Sequence, residues 1–170
     1  MVKKVQAVIW FNGADHRRWL DLPRQPLEIG CNYFADVRLV DHICCFDQRM
    51  KSVIVKKPGI TYWCKNGQKG DGWDEVHYPM TEEPENSGMM AIKLAMNLGC
   101  DSVRVIGCEW GINDSSVFES QYRNARPGRK YDNHSRYLLR EWSRRIDIKF
   151  VSDLDIDVPV PVVASLHSDD

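Results

Sequence analysis

The sequence predicts a single-domain α/β protein with a Rossmann-like, mostly parallel sheet and helices on both faces. Three observations predict it. Short apolar runs rich in β-branched and aromatic residues alternate with helical or turn segments, the pattern of strands buried on both faces. The stretch from Glu85 to Glu109 reads as a polar turn, an Ala/Leu/Met helix, a Gly stop, and a buried strand ending in Gly and an acid. That order is half of an α/β nucleotide-binding unit. A length of 170 residues suits one domain with a substantial core.

The elements follow in order. Val5 to Phe11 is an apolar run ending at Asn12-Gly13 and reads as a central first strand. Asn12-Gly13-Ala14-Asp15 is then a tight turn, with Asp15 placed to cap a short helix through Leu20. Leu27 to Cys31, Val40 to Phe46, Ile60 to Cys64 and Val76 to Tyr78 read as further strands. Lys65 to Asp74, rich in Gly, Lys and Asp, is a loop. Gly88 to Leu98 is a helix and Val103 to Ile106 a strand. Asn113 to Lys130 shows no periodicity and reads as a loop or lid. In the helix from Asn133 to Arg145, Leu138, Leu139 and Trp142 share one face. Ile148 to Val151 closes the sheet. The domain is therefore placed at residues 1–152, and 153–170 is expected to be an extended or partly disordered tail.

Charge and composition narrow the partners. With 23 Lys and Arg against 24 Asp and Glu, the net charge is −1, so no global basic field attracts nucleic acid. No apolar stretch approaches the roughly 20 residues that span a bilayer, and no signal peptide is recognisable. The expectation is a cytoplasmic protein whose partner is a small nucleotide ligand rather than a nucleic acid or a membrane. The six cysteines form no C-x-x-C pair, and most lie in strand-like runs, as reduced, non-catalytic thiols would. His16, His42, His77 and His167 share no ligand spacing, so no metal site built from side chains is expected.

Five places could carry chemistry. Gly13, with Asn12, lets the backbone turn close to a phosphate or ribose, or simply joins strand to helix; neither G-x-G-x-x-G nor a Walker A loop is present. Asn32 follows a strand and can bond a base or sugar, or form a turn. Asp47 ends a strand, where an acid can hold a ribose hydroxyl or a metal, or cap the next helix. Asn86, Ser87 and Gly88 precede a helix whose free N–H groups can hold a phosphate, or Asn86 or Ser87 simply caps that helix; Glu109, ending the strand that follows, is a ligand contact or a surface acid. His134 opens the late helix, where the dipole disfavours its cation and leaves a neutral imidazole fit for general-base work, or where it is simply a solvated or packed side chain. Glu141 lies two turns further along the same face. A basic run holding Arg123, Arg126, Arg129 and Lys130 is either a closing loop or a solvated one.

These motifs resemble a superfamily that contains sialyltransferase-like glycosyltransferases and 6-hydroxymethylpterin diphosphokinase-like proteins. The resemblance is carried by the turn after the first strand, the strand ending in Asp47, and Asn86-Ser87-Gly88 with Ala91-Ile92-Lys93-Leu94-Ala95 and Val105-Ile106-Gly107-Cys108-Glu109. It spans residues 4–145, and its second motif is the specific one. The first turn lacks the Pro-Ser of the family form, and Glu109 stands where the family has Asp. The compact size is in the style of a phage-encoded member. The resemblance implies nucleotide-dependent group transfer, with a nucleotide sugar as donor. Asn12, Gly13, Asn32, Asn86, Ser87 and Gly88 would bind the nucleotide, and His134 would act on the acceptor or the leaving phosphate. The alternative within the superfamily is ATP-dependent diphosphate transfer, with Asp47 and Glu109 holding Mg²⁺. A third reading is a binding module that keeps the fold without the chemistry.

Overall fold

The computed structural model describes residues 4–108 and 133–167. They form one eight-stranded, wholly parallel sheet: β1 (Gln6–Trp10), β2 (Glu28–Cys31), β3 (His42–Cys45), β4 (Thr61–Cys64), β5 (Asp74–Glu75), β6 (Ser102–Ile106), β7 (Asp147–Val151) and β8 (Val162–Val163). The spatial order is β5-β4-β3-β2-β1-β6-β7-β8. The chain lays strands outward from β1 to β5. Helix α2 (Ser87–Asn97) then crosses back over β3, β2 and β1, and β6 adds on the other side of β1.

Alternation along β1 splits the core in two. Ala7, Ile9 and Phe11 face one side, under α2 and α3 (Asn133–Ser143). Val8 and Trp10 face the other, under two 3₁₀ turns (Ala14–Trp19 and Phe34–Asp36) and the short α1 (Gln48–Val53). The protein is thus a single-domain α/β fold of Rossmann-like form, with helices on both faces. Among the described residues no helix is long and apolar enough to cross a membrane.

Three details differ from the sequence reading. The first helix is a 3₁₀ turn that follows an extended Gly13, so Asp15 lies inside it rather than at its cap. Strand β5 pairs two residues earlier than Val76 to Tyr78; the apolar character of Val76 marks core burial, not a place in the ladder. The segment after Ser152 carries an eighth strand. Phe150 N–H donates to Pro161 O at 2.9 Å and Ser152 N–H to Val163 O at 3.1 Å. The alternation of acids with Val, Ile and Leu buries Ile156, Val160, Val163 and Leu166 and leaves the acids outside.

A charge cluster locks β2 into the core. Glu28 is fully buried and accepts from Arg38 Nε (2.7 Å), Arg38 Nη2 (2.8 Å), Trp10 Nε1 (3.1 Å) and the Gln25 amide (2.7 Å). The Arg38 guanidinium also lies 4.8 Å from the Trp10 ring centroid. A second cluster joins α2 to α3: Glu82 accepts from Lys93 Nζ (2.6 Å), Arg145 Nη2 (2.8 Å) and Trp142 Nε1 (3.2 Å).

All six cysteines are buried thiols. Two pairs, Cys31 with Cys44 and Cys45 with Cys64, are register partners on neighbouring strands. Burial pushes the Cys45 thiol up to about 12, with Asp47 adding to it, and raises Cys31 and Cys44 as well. The thiolate is the reactive form. Alkylation at neutral pH should therefore be slow in the folded protein and should reach all six cysteines once it is unfolded without reductant. Fast labelling of the native protein would contradict this burial.

Candidate site at the carboxyl edge of the sheet

The strand order reverses between β1 and β6, and the chain leaves both strands at the same edge. Phe11 N–H donates to Ile106 O at 2.7 Å, and Gly13 N–H to Gly107 O at 2.8 Å. These bonds hold the two exits together. Gly107 has φ +80°, and a Cβ there would stand 2.7 Å from Phe11 O and from the Cβ of His16. Only glycine fits that position. The side-chain oxygen of Asn12 is buried at this point and has no hydrogen-bond partner among the described residues.

His16 is 1% exposed, and its Nδ1–H donates to Phe11 O at 3.1 Å. Its ring stands edge-on to Phe34 at 4.9 Å. In the sequence His16 stands out only among histidines that share no ligand spacing. The tight 3₁₀ turn after β1 brings it back beneath the strand end, and no spacing rule signals that.

Asn32 leaves β2 in the left-handed region, at φ 53°, a conformation that Asn tolerates. Its Oδ1 accepts from Ser87 Oγ at 2.9 Å, and the same Oγ accepts from the Phe46 amide at 2.9 Å. One hydroxyl thus ties the ends of β2 and β3 to the start of α2. Ser87 and Gly88 are the first two residues of α2, where backbone amides lack intrahelical partners.

Other candidates carry structural bonds. Asn86 caps α2 by accepting from the Met89 amide at 2.9 Å. Asp47 caps α1 by accepting from the Arg49 amide at 2.8 Å. Gly88 has a packing reason to be glycine: a Cβ there would stand 2.3 Å from the Phe11 ring. The Phe11 ring therefore occupies space beside the helix start that the sequence reading kept for the ligand.

His134 opens α3 beside the segment leading into α2. Its Nε2 lies 3.0 Å from Glu83 O. A carbonyl only accepts, so Nε2 carries the proton and Nδ1 is the basic nitrogen of the neutral ring. Ser135 Oγ donates to Glu85 Oε2 at 2.6 Å, which pins the same turn. Lys65, just past β4, also reaches this edge. It pairs with Glu83 at 2.9 Å and lies 5.0 Å over the Phe46 ring. The edge therefore gathers Asn12, Gly13, Asn32, Ser87 and Gly88, with His134 beside the approach to α2. Glu109 and the basic run at 123–130 lie outside the described residues. Among those residues no group of three His, Cys, Asp or Glu could hold a metal ion.

The fold and this edge define a Rossmann-like α/β protein with its candidate site at a reversal of strand order. Comparison with protein-family models, curated proteins and solved structures gives no match to this chain.

Proposed function

We propose that the protein binds a nucleotide at the carboxyl edge and transfers a group from it, with a nucleotide sugar as donor. The observation that supports this reading is the strand-order reversal between β1 and β6, because open parallel α/β sheets bind ligands outside the strand ends at such points. Buried Asn12 Oδ1 would accept from a sugar hydroxyl, since a buried acceptor without a donor is costly. Gly13 lets the backbone approach that ligand. Asn32 would donate its side-chain nitrogen to the ribose, and the Ser87 and Gly88 amides would face the phosphate from the helix start. Asp47 and Asn86 would keep the edge in shape through their caps.

A thermal-shift panel of CMP, UDP, ADP and ATP, with and without Mg²⁺, tests this directly. A ligand at 100 times its dissociation constant stabilises by about 2.7 kcal/mol. Metal-independent stabilisation by CMP or UDP is the expected result. Stabilisation only by ATP with Mg²⁺ would move the assignment to diphosphate transfer, and silence across the panel would leave a partner-binding module.

Under this reading His134 is the general base, or the group that meets the leaving phosphate. His134→Ala should slow turnover by about 10²- to 10⁴-fold, the usual range for a positioned acid or base. Melting temperature and nucleotide affinity should stay near those of the parent. Lost stability with retained turnover would make the histidine a fastener for the Glu83 turn.

A further inference from the structure

We propose that the base of the nucleotide seats in the cavity between the turn after β2 and the segment leaving α1, which takes one flat ring. The inference rests on the reading of the carboxyl edge as a nucleotide site. The cavity measures about 140 Å³. A whole ligand of drug size needs roughly 300–1,000 Å³, whereas about 150 Å³ accepts one benzene ring. The space therefore suits a single flat ring, with the rest of the molecule outside.

Its walls suit a ring as well. Ala35, Val53, Val55 and Tyr62 supply apolar surface, and the valines are 57% and 81% exposed. A ring between them would cover that surface and gain the hydrophobic contribution of doing so. Two polar groups stand among these walls. Asn32 belongs to both the cavity and the carboxyl edge, so a ribose held at Asn32 presents its base to the cavity. Asp36 is paired with Lys57 Nζ at 2.8 Å and is half exposed. A carboxylate with one such partner keeps acceptor capacity for an amino group. Lys57 Nζ also donates to Ala35 O at 2.7 Å, so this wall presents a donor beside the carboxylate and can meet either kind of polar group on the edge of a base. Burial, with Cys45 and Asp36 nearby, pushes the Tyr33 phenol above its ordinary value, so that wall stays un-ionised at neutral pH.

Tyr62 belongs to the core on the face opposite α2. The nucleotide would therefore straddle the sheet edge, with phosphate toward α2 and base toward α1. Ala35→Leu fills the cavity without touching Asn12, Ser87 or His134. The experiment uses the full chain with labelled valine methyls, titrated with CMP, UMP and ribose 5-phosphate. The expected results are shifts of the Val53 and Val55 methyls with CMP and with UMP, and affinity for both reduced roughly ten- to a hundredfold in Ala35→Leu. Ribose 5-phosphate should bind parent and variant alike and leave those methyls unmoved. CMP binding with unmoved methyls in the parent protein would overturn the base assignment while the nucleotide reading stands. This readout needs no variant. Absence of nucleotide binding by the parent would overturn both readings.

Discussion

Glu28→Ala lowers stability by about 3–5 kcal/mol, the cost of leaving a buried charge without its partner. The substitution strands Arg38, which is 10% exposed at its side chain, and removes the acceptor of Trp10 Nε1. Domains of this kind hold about 5–15 kcal/mol in all, so the variant is marginal. At about 2–4 °C per kcal/mol, its melting temperature falls on the order of 10 °C. Thermal unfolding at neutral pH checks this; a fall under about 3 °C would mean that the cluster is open to solvent. The same carboxylate makes stability depend on pH. Burial pushes its pKa up, but the Arg38 hydrogen bond, the Gln25 amide and the charges of Arg38 and Arg24 outweigh burial and hold it below the ordinary carboxylate range. Because the folded pKa is the lower one, the contribution is complete at neutral pH. It is lost as pH falls through the unfolded value of about 4.3 toward the folded one. Glu82, also held low, titrates in the same sense: burial raises it, and Lys93, Trp142 and Arg145 together overcome that.

Gly88→Val destabilises the protein by about 3 kcal/mol, at the upper end for an overpacked core. The new side chain overlaps the Phe11 ring, with a Cβ at 2.3 Å from one ring atom and 2.5 Å from two more. Phe11→Ala alone costs about 3–5 kcal/mol through the cavity it leaves. The two changes compensate when combined, because each removes the other's fault, and the coupling should lie between about 0.5 and 3 kcal/mol. A double-mutant cycle by denaturant unfolding measures it. Strict additivity would place Gly88 away from Phe11 and return its glycine to a purely ligand-facing role.

Much of this architecture is legible in the chain. The strands are short and apolar, and Gly or Asn follows several of them, so their positions show without tertiary knowledge. β1, β2, β3, β4, β6 and β7 fall where the apolar runs place them. β8 does not show, because two valines among prolines and acids carry no strand period; pairing with β7 supplies what propensity lacks. Strand order is equally silent in sequence. It depends on α2 crossing back over β3 to β1, a long-range fact. At the edge, residue types are visible and roles are not. Asp47 and Asn86 read as ligands or caps, and each accepts the backbone amide that a cap accepts. Gly88 reads as a close approach to a ligand, yet the ring that approaches is Phe11, seventy-seven residues earlier. Glu28 stands inside the run from Leu27 to Cys31 with nothing in the sequence to mark it, and it is fully buried because Arg38 and Trp10 arrive from other segments.

The central claim is that a nucleotide binds where β1 and β6 release the chain. Titration of the isotope-labelled protein with CMP, UDP and ATP, followed through backbone amide shifts, tests it most directly. Saturable shifts are expected at Asn12, Gly13, Asn32, Ser87, Gly88 and Gly107, with the opposite edge of the sheet, at Val5, Asp101 and Asp147, unmoved. Shifts confined to that opposite edge, or none at millimolar nucleotide, would contradict it.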